Sequence, residues 1–126
     1  KRAEEALKVS EARFRAMFEN ALEAIALLDP SGTVLELNES ARGLLKGSAT
    51  AVGAEFWELP WWPEVTKEAS AGLRSAFERA VAGETYRVRT SPDGKTELDF
   101  SLIPVESDGE VRLVIAEARD ITQLLS

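Results

Sequence analysis

The chain has 126 residues, 44% of them hydrophobic and 29% charged, which suits one globular domain with a single core. Its formal net charge of −7 repels phosphates, so nucleic acid and an anionic membrane surface are not expected partners. The chain has no cysteine and no histidine, which excludes disulfides, thiolate nucleophiles and the commonest metal ligand. No apolar run approaches the roughly 18 residues that span a bilayer, so we expect a cytoplasmic domain without a metal site.

The first predicted element is a helix at residues 1–20, which no glycine or proline interrupts and which i,i+4 charge pairs support. Its apolar side chains at Leu7, Phe14 and Met17 follow heptad spacing, which predicts a seam for pairing with a second copy. Because the chain enters within this helix, we expect it to be part of a longer protein. The predicted division is 1–20 as a linker or dimerisation helix, 21–122 as the domain proper, and 123–126 as the beginning of an output helix.

A hairpin follows the helix. The apolar run Ala24–Leu28 predicts one strand and Thr33–Leu37 predicts the next. Between them, the segment Asp29–Gly32 places aspartate, proline and glycine where a type I turn favours them. Asn38 stands at the N-cap of a short helix that Gly47 is placed to end.

The middle of the chain is aromatic and then helical. The segment Phe56–Pro63 contains two prolines and three tryptophans, and each proline biases its preceding residue away from helical geometry. We therefore predict a rigid aromatic connector at this point. Apolar residues at helical spacing from Val65 to Val81 predict the longest helix of the domain, and Gly83 is placed to end it.

Three strands close the sequence, at residues 85–90, 96–105 and 111–119, with glycine-containing turns at 91–94 and 107–109. The middle strand alternates leucine and phenylalanine with aspartate and serine, so one of its faces is core and the other is polar. Together with the hairpin, these strands predict an α+β fold. It consists of a five-stranded antiparallel sheet covered on one face by short helices, with an amphipathic helix at the N-terminus.

Four local patterns occur in the order in which they occur in the PAS family, which the sequence resembles along nearly its whole length. They are Phe14–Ala21, the turn Leu28–Gly32, Asn38 after the second strand, and Ala118–Thr122. The block Phe56–Trp62 is similar to one in PAS domains of bacterial histidine kinases and related signalling proteins. The resemblance implies a non-enzymatic sensory input module that forms a homodimer, with an output domain in the same chain. It also makes Asp120 and Thr122 the point of signal coupling to the output helix.

The resemblance also limits which cofactors the domain could bind. Haem-binding members of the family use a histidine, and members that form a flavin or coumaroyl adduct need a cysteine, so neither chemistry fits this sequence. No cofactor is required, although a noncovalently held flavin stays possible by residue type. A small organic ligand would lie between the sheet and the middle helices. The candidate wall residues are Ile25, Leu27, Leu37, Trp57, Trp61, Leu73, Phe77, Tyr86, Phe100 and Leu102. The alternative is that these side chains simply fill the core, in a module that dimerises or docks without a ligand.

Charged side chains on the last three strands have two interpretations. Arg87 and Arg89 share one face of their strand, opposite Tyr86, so we expect them to point to solvent rather than bind a carboxylate ligand. Asp99 and Glu117 are interpreted in the same way, as residues of a polar face rather than an acid/base pair. A remote alternative is a small α+β enzyme of the isomerase kind, in which Tyr86 or an aspartate would act as acid or base.

Overall fold

The structure, a computed structural model, describes residues 2–44, 51–58, 67–91 and 95–124. The predicted first helix is confirmed as α1, which spans Arg2–Asn20. Residues 2–17 of this helix are all exposed, and only Phe18 within it is buried. No helix in the described ranges is long and apolar enough to cross a membrane.

The five predicted strands are all present and form one antiparallel sheet, so the predicted fold class is confirmed. In spatial order the strands run β2-β1-β5-β4-β3, which places the first and last strands side by side at the centre. Their bounds are β1 Ala24–Leu28, β2 Val34–Leu37, β3 Tyr86–Thr90, β4 Leu98–Ser107 and β5 Glu110–Asp120. β5 is longer than its sequence pattern predicts and β4 ends two residues later than predicted, because Ser107 and Glu110 at their shared turn remain paired.

Helices cover one face of this sheet, which we call the inner face. They are α2 (Glu39–Leu44), a 3₁₀ turn (Phe56–Glu58) and α3 (Lys67–Val81). The pleat sends alternate residues of each strand into this layer, where Leu28, Phe100 and Leu102 are buried. Small side chains on the central strands and on α3 complete the packing; the alanines are Ala24, Ala26, Ala116, Ala76 and Ala80.

The opposite, outer face of the sheet carries the intervening residues of each strand. Ile25 and Leu27 belong to it, because strand geometry alternates them with Ala24, Ala26 and Leu28, which enter the inner core cluster. The structure therefore does not bring Ile25 and Leu27 to the layer between the sheet and the helices. This corrects their assignment to the candidate pocket wall.

Within the described residues, the first hairpin turn and the end of α3 have the hydrogen bonds and the backbone angle that the sequence predicts. The Asp29 carboxylate accepts bonds from the backbone N–H groups of Ser31 and Thr33 and from the Ser31 hydroxyl, which closes the first hairpin. Gly83 ends α3 with a positive φ, as predicted. The predicted helix stop at Gly47, most of the aromatic connector and the turn at 92–94 lie outside the described residues.

Candidate functional site

Asn38 connects α1, β1 and α2 through a single buried side chain. Its Oδ1 accepts from the backbone N–H groups of Ile25 and Ala41 at 2.9 and 3.0 Å. Its Nδ2 donates to the carbonyl oxygens of Phe18 and Glu23 at 3.0 and 2.8 Å. A side-chain amide has two acceptor sites and two donor hydrogens, so this residue uses its full hydrogen-bonding capacity. The predicted N-cap is confirmed, and the same side chain also fixes the end of α1.

Further contacts hold the last turns of α1 against the domain. The Ser40 hydroxyl donates to the Ala21 carbonyl at 2.8 Å, next to the bonds that Asn38 makes. Two exposed ion pairs join α1 to the neighbouring strand and helix; they are Arg15 with Glu36 at 2.6 Å and Arg42 with Glu19 at 3.3 Å. Exposed ion pairs contribute little each, so the buried amide is the main anchor.

The C-terminal junction is tied to the beginning of β4. Asp120 accepts from the backbone N–H and the hydroxyl of Thr122 at 3.0 and 2.6 Å. The Thr122 hydroxyl oxygen in turn accepts from the backbone N–H of Glu97 at 2.9 Å, and the N–H of buried Ile121 donates to the Glu97 carbonyl. The residues Thr122–Leu124 form a 3₁₀ turn. The two residues predicted to couple the domain to an output helix therefore bond to each other at the point where the sheet ends.

Both junctions are attached to the same pair of strands. β1 and β5 are hydrogen-bonded neighbours, and Ala24 pairs with Ala118. The Asn38 anchor of α1 lies beside one end of this pair, and Asp120 follows Ala118 by two residues. A change in the β1–β5 pairing would therefore act on the incoming helix and the outgoing segment together.

The structure gathers seven of the ten candidate pocket residues on the inner side of the sheet. These are Leu37, Trp57, Phe77, Phe100 and Leu102 in the buried cluster, with Leu73 and Tyr86 packed against it. Aromatic rings fill much of this layer: Phe100 stacks with Phe56 at 6.2 Å and meets Tyr86 edge-on at 6.5 Å. Trp61 lies outside the described residues. Two shallow surface grooves lie elsewhere, on α1 and at the end of α3.

Trp57 joins the first hairpin to α3. Its ring lies 5.5 Å from the Phe77 ring, the Arg74 guanidinium lies over it at 5.3 Å, and its indole N–H donates to Glu55 at 3.1 Å. On the hairpin side the ring lies against Gly32, where a β-carbon would overlap it. This contact was not predicted, since nothing in the sequence places the glycine of that turn beside the connector.

The polar outer face carries the carboxylates of Asp99 and Glu117, whose surroundings differ. Arg87 is exposed and binds Asp99 through two hydrogen bonds of 3.2 and 2.8 Å, which holds the pKa of Asp99 below its usual range. The expectation that this arginine points to solvent is confirmed. Burial, together with the neighbouring charge of Glu23, raises the pKa of Glu117. No group of three or more potential metal ligands occurs among the residues that the structure describes.

The described contacts thus consist of two anchored chain ends and a packed apolar layer. The chain matches the family described as PAS fold over residues 18–125. It is 35% identical to the hybrid signal transduction histidine kinase D of Dictyostelium discoideum and 34% identical to the sensor histidine kinase TmoS of Ectopseudomonas mendocina, each over 119 residues. These alignments cover 86% of this chain but only 8% and 12% of the two kinases, so the chain spans about a tenth of their length.

Among solved structures, the PAS domain of BvgS from Bordetella pertussis is similar, with a TM-score of 0.70 and 17% sequence identity. The likeness covers 92% of this chain and 91% of that domain. At this level of identity it shows a shared fold, with the same arrangement of sheet and covering helices.

Proposed function

The chain belongs to the PAS fold family, and on that premise we propose that it is a sensory input module that relays a conformational signal between its two terminal segments. The observation that carries the proposal is the attachment of both termini to the β1–β5 strand pair, through Asn38 at one end and the Asp120–Thr122 bond at the other. A coupling free energy of about 1–3 kcal/mol would suffice for regulation, provided that the signal binds two arrangements of this pair with different affinity. By analogy with the two kinases, we propose an output domain in the same protein.

Thr122 offers a sharp test of the relay because its hydroxyl both donates and accepts. Thr122→Val keeps the shape of the side chain but removes the hydroxyl, and with it the hydroxyl's bonds to the Asp120 carboxylate and to the Glu97 N–H. Thr122→Ser keeps the hydroxyl and is the matched control. We expect the valine variant, and Asp120→Ala, to fold but to lose regulation of output activity in the full-length protein, while the serine variant retains it. Normal regulation in the valine variant would contradict the relay through this junction.

A small-molecule ligand is the second part of the proposal. It would lie against the inner face, in contact with the candidate residues Trp57, Phe77 and Phe100, where a signal could reach both central strands. Native mass spectrometry of the chain, compared with the denatured protein, tests this directly. A retained molecule of defined mass would support ligand sensing, and Phe100→Ala should then reduce its occupancy.

The competing candidate is a module that dimerises without a ligand. It is favoured by the closely packed aromatic rings on the inner face and by the exposed seam of α1, where Leu7, Phe14 and Met17 are 68%, 41% and 66% exposed. A pair of substitutions in this seam, Leu7→Glu with Met17→Glu, should abolish a helix-mediated dimer. The matched control places the same charges on Val9 and Ala12, two exposed positions that lie off the seam. A ligand-free dimer that the seam variant disrupts would favour this candidate over ligand sensing.

A further inference from the structure

Glu117 lies on the outer face of β5, one strand away from the anchor of α1. In register it pairs with Ile25 of β1 on one side and with Ser101 of β4 on the other. Ile25 in turn bonds to Asn38 twice, because its N–H donates to the Asn38 side chain and its carbonyl accepts from the Asn38 backbone N–H. Glu117, Ile25 and Asn38 therefore form one row across the sheet, and two strand spacings make this row about 10 Å long.

The Glu117 carboxylate differs from the other acid of this face in having no partner. The side chain is half-buried, and within the described ranges no hydrogen bond or ion pair holds its oxygens. Asp99, by contrast, accepts two hydrogen bonds from Arg87. A half-buried carboxylate without a donor is disfavoured in its charged form, so the protonated acid is the form that this position suits.

Two charged groups act on this carboxyl from neighbouring elements, in opposite directions. Glu23, in the connector between α1 and β1, raises the pKa of Glu117, and Arg87 of β3 lowers it. Burial is the largest cause, and it acts in the same direction as Glu23. Because Arg87 is bound to Asp99 at 2.8 Å, its charge does not cancel the other two effects. Glu117 therefore ionises at a higher pH than an ordinary glutamate.

The other charged groups around this row are engaged elsewhere or face solvent. Asp99 of β4 holds Arg87, and Arg119, two residues after Glu117 on β5, is exposed. At the end of α1, the charged side chains of Arg15 and Glu19 form ion pairs with β2 and α2. The ionisation of Glu117 is therefore felt mainly by Glu23.

Glu23 belongs to the anchor of α1 through its backbone. Its carbonyl accepts from the Asn38 Nδ2 at 2.8 Å, and the same nitrogen donates to the carbonyl of Phe18 in the last turn of α1. Repulsion between the two carboxylates acts on a residue to which Asn38 is bonded. A charge that appears at Glu117 thus reaches Asn38 by two routes, through Ile25 in the row and through the connector at Glu23.

We propose that the ionisation of Glu117 sets how firmly Asn38 holds the end of α1, which makes the proton a regulatory ligand of this junction. The acid form leaves the anchor intact. The charged form repels Glu23 and loosens the bonds of Asn38, so the anchor weakens as pH rises through the titration of Glu117. The inference rests on the proposed relay only for its consequence in a longer protein, since the coupling of Glu117 to Asn38 is a property of this chain.

Three isosteric variants separate the steps. Glu117→Gln removes the titrating group, and Glu23→Gln removes the charge that it repels. Glu110→Gln is the matched control, because it neutralises an exposed carboxylate on the same strand, far from the anchor. Circular dichroism verifies that each variant folds.

The measurement is an NMR titration of the labelled chain from about pH 4 to pH 8, with hydrogen exchange of the Ala41 N–H, which donates to Asn38. We expect the Asn38 side-chain amide to titrate with the same midpoint as the Glu117 carboxyl carbon. The protection factor of the Ala41 N–H, which corrects for the intrinsic effect of pH, should fall at least about 3-fold across this midpoint. Glu110→Gln should leave both responses unchanged, and Glu117→Gln should abolish them.

Glu23→Gln gives the second criterion. It should lower the midpoint of Glu117, since Glu23 raises the pKa of that carboxyl, and it should reduce the response at Asn38. A Glu117 midpoint at or below the ordinary glutamate value of about 4.3 would overturn the proposal, and so would an Asn38 response that is absent or that survives Glu117→Gln. A response in this chain together with normal regulation in full-length Thr122→Val would contradict the relay and leave the proton switch standing.

Discussion

Replacing Asn38 by alanine removes four hydrogen bonds from one buried position. The backbone N–H groups of Ile25 and Ala41 and the carbonyls of Phe18 and Glu23 all lose this partner. A buried polar group left unpaired costs about 1–3 kcal/mol, although water can enter the space of a deleted side chain and recover part of it. We expect a loss of about 3–5 kcal/mol in the free energy of unfolding, a large share of the 5–15 kcal/mol typical of a domain.

Urea unfolding followed by circular dichroism measures this loss. With a typical slope of about 1–3 kcal/mol per molar urea, the midpoint should fall by more than about 1 M while the slope stays the same. Ser40→Ala is the matched control, since it removes the single neighbouring bond to the Ala21 carbonyl. Its expected cost is about 1 kcal/mol.

The isosteric substitution Asn38→Asp separates hydrogen bonding from packing. The carboxylate can still accept from Ile25 and Ala41, but its second oxygen would face the carbonyl oxygens of Phe18 and Glu23 without a hydrogen to donate. Protonation restores one donor, so folding should raise the pKa of the new carboxyl above its unfolded value of about 3.9. Relative to the unchanged chain, the stability of Asn38→Asp should then fall as pH rises from about 3.9 through the raised pKa of the folded state.

Amide hydrogen exchange locates the effect. The Ile25 and Ala41 N–H groups should exchange faster in Asn38→Ala, because each loses its acceptor, and should be better protected in Asn38→Asp, whose carboxylate still accepts from both. The central sheet amide of Val114 serves as the internal reference, since its residue is fully buried in β5. A cost below 1 kcal/mol for Asn38→Ala, or unchanged protection at Ile25 and Ala41, would refute the view that this side chain anchors α1.

Three further substitutions test individual contacts. Gly32→Ala should destabilise the fold by roughly 2–5 kcal/mol in thermal unfolding, because the residue has a φ of 94° and its new methyl would overlap Trp57; an unchanged melting temperature would contradict this packing. The Ser31 hydroxyl and the turn N–H groups lower the pKa of Asp29, so Asp29→Asn should be less stable than the unchanged chain at pH 7. This stability difference should shrink as pH falls through the lowered pKa, and a difference that does not depend on pH would refute the prediction. Burial raises the pKa of Glu117, so the parent chain should lose stability as pH rises through the titration of this carboxyl. Glu117→Gln should remove this loss, which makes the variant the more stable chain at pH 7 but not near pH 4. Equal stability of the two chains at both pH values would refute this prediction.

The sequence patterns were sufficient to predict the three α-helices and five strands of the described fold, although not the 3₁₀ turn at Phe56–Glu58. β4 is a clear case: leucine and phenylalanine alternate with aspartate and serine, and Leu98, Phe100 and Leu102 are the residues that become buried. The exposure of Arg87 also followed from alternation, because Tyr86 occupies the opposite face of β3. These features depend on near neighbours in the chain, which sequence patterns report directly.

The candidate site was harder to predict because it depends on contacts between distant segments. Ile25 and Leu27 are among the predicted wall residues, yet Ala24, Ala26 and Leu28 take the inner positions of β1 and leave these two side chains on the outer face. For Asn38, the sequence indicated one of its four bonds, the cap to Ala41. The other three depend on the approach of α1 and β1, and no local pattern encodes that approach.

The position of these contacts supports the proposed relay between the two terminal segments. Asn38 fixes the carbonyl of Phe18 in α1 and the backbone of Ile25 in β1, so the helix end follows the strand. β1 pairs with β5 over its full length, and β5 leads to the bond between Asp120 and Thr122. The path from one terminus to the other therefore consists of backbone pairing and two side-chain anchors. A ligand or partner that shifts this strand pair would have to displace both anchors together.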